Sequence, residues 1–165
     1  MHIYPQQQGV IEFDERPVRV TDPGYDKSSV HVVDVNVKPG RYACISYRGT
    51  DRYTVDGKRY SDTRTWVIGV YKDGKIPPAS AWEKPEIIGH IGVDAGLAGF
   101  YQDKPDFDDD WMEFCEPFCR PGRARKHSRM DSFGFTSESG YGDGYYEVWA
   151  YRNEENEIVG LEVHF

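Results

Sequence analysis

Three aspartates stand in glycine-bearing turns, and their type and setting are where chemistry is first sought. Asp22 opens Asp22-Pro-Gly-Tyr25, Asp94 opens Asp94-Ala-Gly96, and Asp143 lies inside Ser139-Gly-Tyr-Gly-Asp-Gly-Tyr-Tyr146. A carboxylate in such a turn can hold a hard cation through oxygen, accept hydrogen bonds from a ligand, or take the N–H groups of its own turn. If the three turns meet at one end of a sheet, Asp22, Asp94 and Asp143 form a candidate metal set of unknown preference. Asp94 and Asp143 would then be the pair used by a metal-dependent hydrolase. For a single aspartate, the self-capped turn is the simpler reading.

A second group carries the opposite charge. Arg120, Arg123, Arg125, Lys126 and Arg129 place five cations in ten residues. Guanidinium forks grip phosphate oxygens bidentately, and Tyr141, Tyr145 and Tyr146 could stack a base. The alternative is a solvated loop that balances the acids between Asp103 and Glu113. The candidate ligand-binding set is therefore Asp94, Tyr141, Asp143, Tyr145, Arg123, Arg125 and Lys126.

Other constellations explain themselves more simply. Cys115-x₃-Cys119 with His127 is looser than structural zinc spacing and lacks a second pair. Cys44 and Cys115 read as small core hydrophobes. The acids at 103, 106, 108, 109 and 110 lack the glycine and glutamate of a calcium loop and suit a helix start better. His31, His90 and His164 fall within strands. No nucleophile elbow, zincin, Walker or Rossmann motif is present, so no catalytic residue is nominated and no cofactor is expected.

These residues need a scaffold, and composition bounds it. The chain has 165 residues, 15% of them aromatic, enough for one domain over residues 1–165 with a core of its own. It has no apolar run of membrane-spanning length and no basic-then-apolar leader at its start, so no membrane partner and a cytoplasmic location are expected. Three cysteines suit reduced thiols better than a disulfide framework. The net charge of −8 is unevenly spread: residues 1–82 sum to +2 and residues 83–165 to −10. That field disfavours nonspecific nucleic-acid binding.

The pattern along the chain is mostly β. Short runs at 9–13 and 17–21 precede the Asp22–Tyr25 turn. Val30–Val37 and Arg41–Tyr47 read as strands, while 48–64 is polar and turn-rich with a hairpin at Asp56-Gly57. Thr65–Tyr71 lacks alternation and suits a central strand buried on both faces. Residues 76–85 read as a proline-bearing surface loop, and Glu86–Val93 and Leu97–Tyr101 as strands. One amphipathic helix is expected near 106–116. Asp106 would cap it, Phe107, Trp111, Phe114, Cys115 and Phe118 would form its apolar face, and Pro117 would end it. Tyr145–Arg152 and Glu157–Phe165 make a final hairpin. The expected fold is α+β, mainly antiparallel β, as a sandwich or open barrel.

Two blocks in this pattern carry a resemblance. Gly92-Val-Asp-Ala-Gly-Leu-Ala-Gly-Phe-Tyr101 and Ser139-Gly-Tyr-Gly-Asp-Gly-Tyr-Tyr-Glu-Val-Trp149, with the final Ile158–Phe165 strand, resemble a bacterial and phage family of unknown function. Its members pair a VDAG or VDSG block with a C-terminal SGxGDGxY block and end in a Phe-terminated strand. Asp22-Pro-Gly-Tyr25 is similar to the DPCY turn of some phage proteins, with Gly24 in the place of Cys. The resemblance covers that turn and most of residues 86–165. It implies a compact, mostly β domain, often phage-encoded, and brings no activity with it.

The expectation for function is a non-catalytic binding protein of bacterial or phage origin that sequesters a phosphate-bearing, nucleotide-like signal. In a phage setting that signal would serve host defence. Two alternatives stand beside it: an inhibitor or immunity-type protein that presents its acidic half to a protein partner, and the metal-dependent hydrolase.

Overall fold

A computed structural model describes residues 2–77 and 85–165. The strands are β1 Ile3–Phe13, β2 Val18–Thr21, β3 Val33–Val35, β4 Gly40–Val55, β5 Lys58–Lys72, β6 Glu86–Val93, β7 Leu97–Tyr101, β8 Ser128–Asp131, β9 Gly134–Glu138, β10 Gly144–Arg152 and β11 Ile158–His164. The helix, α1, spans Trp111–Cys119. Six strands form one sheet in the order β1-β4-β5-β11-β10-β6, and five form the other in the order β3-β2-β7-β9-β8. Neighbouring strands run antiparallel throughout. This is the expected α+β fold, mainly antiparallel β, and its two unclosed sheets make it sandwich-like. Among the described residues no helix is long and apolar enough to cross a membrane.

The core lies between the sheets because alternate strand residues point to opposite faces. Tyr42, Cys44, Ile68, Val70, Leu161 and Val163 from the larger sheet meet Val18, Val20, Phe100 and Phe135 from the smaller one. The larger sheet also buries side chains on its outer face, where Ala43, Ile45, Tyr47, Tyr71 and Tyr151 cluster. That explains the unbroken apolar run at Val67–Tyr71 in central β5. A third cluster seats α1 on the fold: Phe114 and Phe118 are buried with Leu97, and Phe107, Trp111, Cys115 and Phe133 pack around them.

Three expectations need correction. The helix begins at Trp111 with Asp110 at its cap, and it passes through Pro117 to Cys119. Residues before Trp111 form a strap instead, because Phe107 folds back onto Phe114 with ring centroids 4.5 Å apart. Pro117 lies in the last turn of this helix. Residues 48–64 are strand almost throughout, since β4 and β5 pair without interruption from Arg48↔Thr65 to Val55↔Lys58. Only Val33–Val35 of the 30–37 run joins a sheet, as edge strand β3 beside β2. The proline-bearing loop read at 76–85 lies mostly outside the described residues.

A β-bulge places the first functional side chain. The β4–β5 register shifts between Tyr47 and Arg48, so Tyr47 opposes Val67 while Arg48 opposes Thr65 and Trp66 is the extra residue. A bulge re-aims the side chains that follow it. Here it brings Arg48 and Thr65 to one face, where both are buried.

Candidate functional site

The basic residues gather where an edge strand of each sheet meets α1. A groove of about 620 Å³ is lined by Gln6 and Gln8 of β1, Arg48 of β4, Pro117 and Arg120 near the end of α1, and Arg125–Met130. Its lining holds five Lys or Arg side chains and no carboxylate, in a chain whose net charge is −8.

Glu138, at the end of β9, sits behind this lining and fixes its geometry. Arg48 Nη1 donates to Thr65 Oγ1 at 2.9 Å and to Glu138 Oε1 at 2.8 Å. Arg125 Nη2 donates to Glu138 Oε2 at 3.0 Å, and His127 Nδ1 lies 3.1 Å from Oε1. Arg129 grips Asp131 with two bonds of 2.8 and 2.7 Å and donates to the Phe114 carbonyl at 2.7 Å. Arg120 is held the same way by Glu116, four residues back on the helix. Among the described residues no carboxylate pairs with Lys126. Burial is the first cause lowering the His127 pKa below its usual value, with Glu138 opposing and Arg48 and Arg125 assisting. At neutral pH His127 is therefore an uncharged donor or acceptor among fixed cations.

The acidic turns occupy a different place. Asp22 lies with Asp94, Tyr25, Phe107, Asp108, Asp109 and Trp111 around a cavity of about 890 Å³. Asp22 is a clamp: Oδ1 accepts from Gly24 N at 2.7 Å, and Oδ2 accepts from Asp94 N and Ala95 N, both at 2.8 Å. Burial raises its pKa, and these three N–H groups pull against that rise. Asp94 keeps its carboxylate at the surface, where Oδ2 accepts the Tyr25 hydroxyl at 2.8 Å.

The two glycine–carboxylate turns do adjoin. Ser139 N donates to Gly96 O at 2.9 Å, and Gly144 pairs with Val93. Asp143, however, lies outside the lining of the acidic cavity. Among the described residues no three His, Cys, Asp or Glu side chains are grouped so that they could hold a metal ion. Asp22, Asp94 and Asp143 are thus neighbours without being a coordination set, and Cys115, Cys119 and His127 form none either.

The remaining candidates are dispersed. Tyr141 packs edge-on to Trp66, with the Arg64 guanidinium 3.9 Å from its ring centroid and 4.0 Å from that of Trp66. Tyr145 stacks on His90 at 5.2 Å. Arg123 sits in a short 3-10 turn, Gly122–Ala124, beside the groove but outside its lining. Arg125 and Lys126 are in it, while Tyr141, Asp143 and Tyr145 line neither cavity. Sequence reasoning did not single out Arg48, Glu138, Gln6 or Gln8, because each lies outside the basic run, nor Ser128, an uncharged residue within it. The one available signal was the pairing of a lone Arg48 in an apolar strand with a lone Glu138 at the end of another.

Comparison with family models, with curated proteins and with solved structures finds no match.

Proposed function

We propose that the protein is a binding protein that captures a small phosphate-bearing anion in the groove between β1, the end of α1 and residues 125–130. The observation that carries this reading is the lining itself: Arg48, Arg120, Arg125, Lys126 and Arg129 border one space, and the carboxylates that pair with four of them lie outside that lining. The volume suits a small ligand, since such sites span ~300–1,000 Å³. Bidentate guanidinium contacts supply specificity for tetrahedral oxyanions, and Gln6, Gln8 and Ser128 add neutral donors. Glu138 holds Arg48 and Arg125 in place before any ligand arrives, which reduces the ordering cost of binding. The rings of Tyr141 and Tyr145 lie elsewhere, so the reading rests on the phosphate and not on base stacking.

Calorimetric titration with inorganic phosphate, pyrophosphate and a nucleotide panel at low ionic strength tests it. Saturable binding that weakens with salt is expected. A charge-assisted hydrogen bond is worth ~1.5–3 kcal/mol, so Arg125→Ala and Lys126→Ala should each weaken binding about tenfold or more. If none of these anions binds, the reading falls.

The pH dependence has a definite sign. Because the His127 pKa is lowered in the free protein, His127 is neutral at pH 7, and a bound dianion favours its charged form. Sulfate does not itself titrate near neutrality, which makes it the useful probe. Its affinity should rise as the pH falls from about 7 to about 5, through the range where a histidine charges. His127→Gln should flatten that profile. A flat profile in the unaltered protein would show that His127 does not meet the anion.

A further inference from the structure

We propose that the cavity between the Asp22–Tyr25 turn and the start of α1 is a second site, one that takes an organic ammonium cation. Two independent features meet there. The first is negative charge: Asp94, Asp108 and Asp109 line the cavity with Asp22, and no Lys, Arg or His stands among the lining residues. The second is a wall of rings from Tyr25, Phe107 and Trp111. Ring faces with carboxylates beside them are the chemistry of ammonium recognition, because the ring quadrupole attracts a cation and the carboxylates complement its charge.

The rings are set before any ligand binds. Trp111 stacks on Phe114 with centroids 5.7 Å apart, and Phe107 packs on both, 5.6 Å from Trp111 and 4.5 Å from Phe114. Tyr25 is tethered through its hydroxyl to Asp94. The indole edge of Trp111 rests on Gly24, where an added Cβ would lie 3.2 Å from two of its carbons. The absence of a side chain at residue 24 is what lets the ring pack this closely against the turn.

The same aromatic cluster already meets cations from within the chain. Lys104 Nζ lies 5.2 Å from the Phe107 ring centroid, and the Arg129 guanidinium lies 4.4 Å from that of Phe114. Of that cluster, Phe107 and Trp111 line the cavity with Tyr25, so their rings border a space that a cation from solution can enter. An inorganic cation suits the site poorly. Both Asp22 oxygens already accept backbone N–H groups, and no group of three possible metal ligands occurs among the described residues. The carboxylates are spread around a space of about 890 Å³, which matches a large, diffuse charge that makes apolar contact with ring faces.

Choline and spermidine are the probes, representing methylated and primary ammonium, with calcium and potassium as controls. Saturable quenching of tryptophan fluorescence by one of the two ammonium compounds, with Kd near or below about 1 mM, is the expected result. Trp111→Ala should weaken binding about tenfold. Asp109→Asn, an exposed change that leaves the fold intact, should weaken it severalfold. Sulfate binding in the basic groove should be unaffected by Asp109→Asn, so the two sites can fail separately. Calcium binding in preference to both ammonium probes, no saturable binding, or binding indifferent to both substitutions would overturn the proposal.

Discussion

Asp22→Ala should destabilise the protein by about 4 kcal/mol, enough to lower Tm by roughly 10–15 °C for a chain of this size. The side chain is 1% exposed, and its carboxylate accepts from Gly24 N and from the N–H groups of Asp94 and Ala95. These three partly buried bonds are charge-assisted, a class worth ~1.5–3 kcal/mol each before solvent takes up the freed N–H groups. The bonds also join distant parts of the chain. They tie the turn after β2 to the Asp94–Gly96 connection, where the chain leaves the six-stranded sheet for the five-stranded one. Asp22→Asn keeps one acceptor oxygen but turns an amide N–H₂ toward other donors, so it should recover only part of the loss. Asp94→Ala removes one partly exposed contact with Tyr25 and should cost under about 1 kcal/mol. Thermal unfolding of the three variants tests this order. Equal effects at positions 22 and 94 would show that the clamp does not bear on stability.

This contrast shows how the sequence could mislead. Asp22, Asp94 and Asp143 look alike in a string, each a carboxylate beside glycine. The fold gives them different work: one is an internal acceptor, one faces a cavity, and one lies exposed outside it. The difference depends on which backbone N–H groups arrive from another sheet, and local spacing holds no record of that. The same limit hid Arg48 and Glu138, whose 2.8 Å contact spans ninety residues of chain. The basic run was legible because five cations share one short segment. The strands were legible wherever one face is buried, since period-two alternation or a continuous apolar run marks them.

Legibility failed where that signal is physically absent. The outer halves of β4 and β5 are exposed on both faces, so their side chains are polar in every register and read as turn. Tyr53 and Tyr60 pair across this ribbon with their rings stacked 5.6 Å apart. Such cross-strand pairs stabilise a ribbon but leave only two tyrosines in a polar stretch. Glu162 is the opposite case. In a strand of alternating residues it reads as solvent-facing, yet it is fully buried on the outer face of the larger sheet. Tyr151 donates to it at 2.9 Å, Tyr71 donates to it as well, and His164 Nε2 lies 2.8 Å away. Tyr151, Glu162 and His164 come from the final hairpin, but Tyr71 is 91 residues from Glu162 in sequence, and only the shared face brings it there.

That tyrosine burial sets the second large expectation, a steep loss of stability in alkali. Tyr42, Tyr47, Tyr71, Tyr101 and Tyr151 are all at most 8% exposed. Burial is the first cause raising each of their pKa values, that of Tyr47 to about 12. The Glu162 charge adds to the rise at Tyr47, Tyr71 and Tyr151. In the unfolded chain these phenols ionise near pH 10. A group whose folded pKa is raised gives its full stabilisation below the unfolded value and loses it as the pH climbs toward the folded one. Above pH 10 each such tyrosine therefore removes about 1.4 kcal/mol per pH unit. Five together remove about 7 kcal/mol by about pH 11, comparable to the whole stability of a typical domain. Circular dichroism and tyrosinate absorbance, followed together, should therefore change in one cooperative step near that pH. Tyr47→Phe removes one titrating group and should make the stability loss shallower, at the cost of its 2.8 Å bond to the Tyr71 hydroxyl. Full tyrosinate formation near pH 10 with the β-sheet signal intact would mean that these five phenols are open to solvent. The buried cluster on the outer face of the larger sheet would then not exist as described.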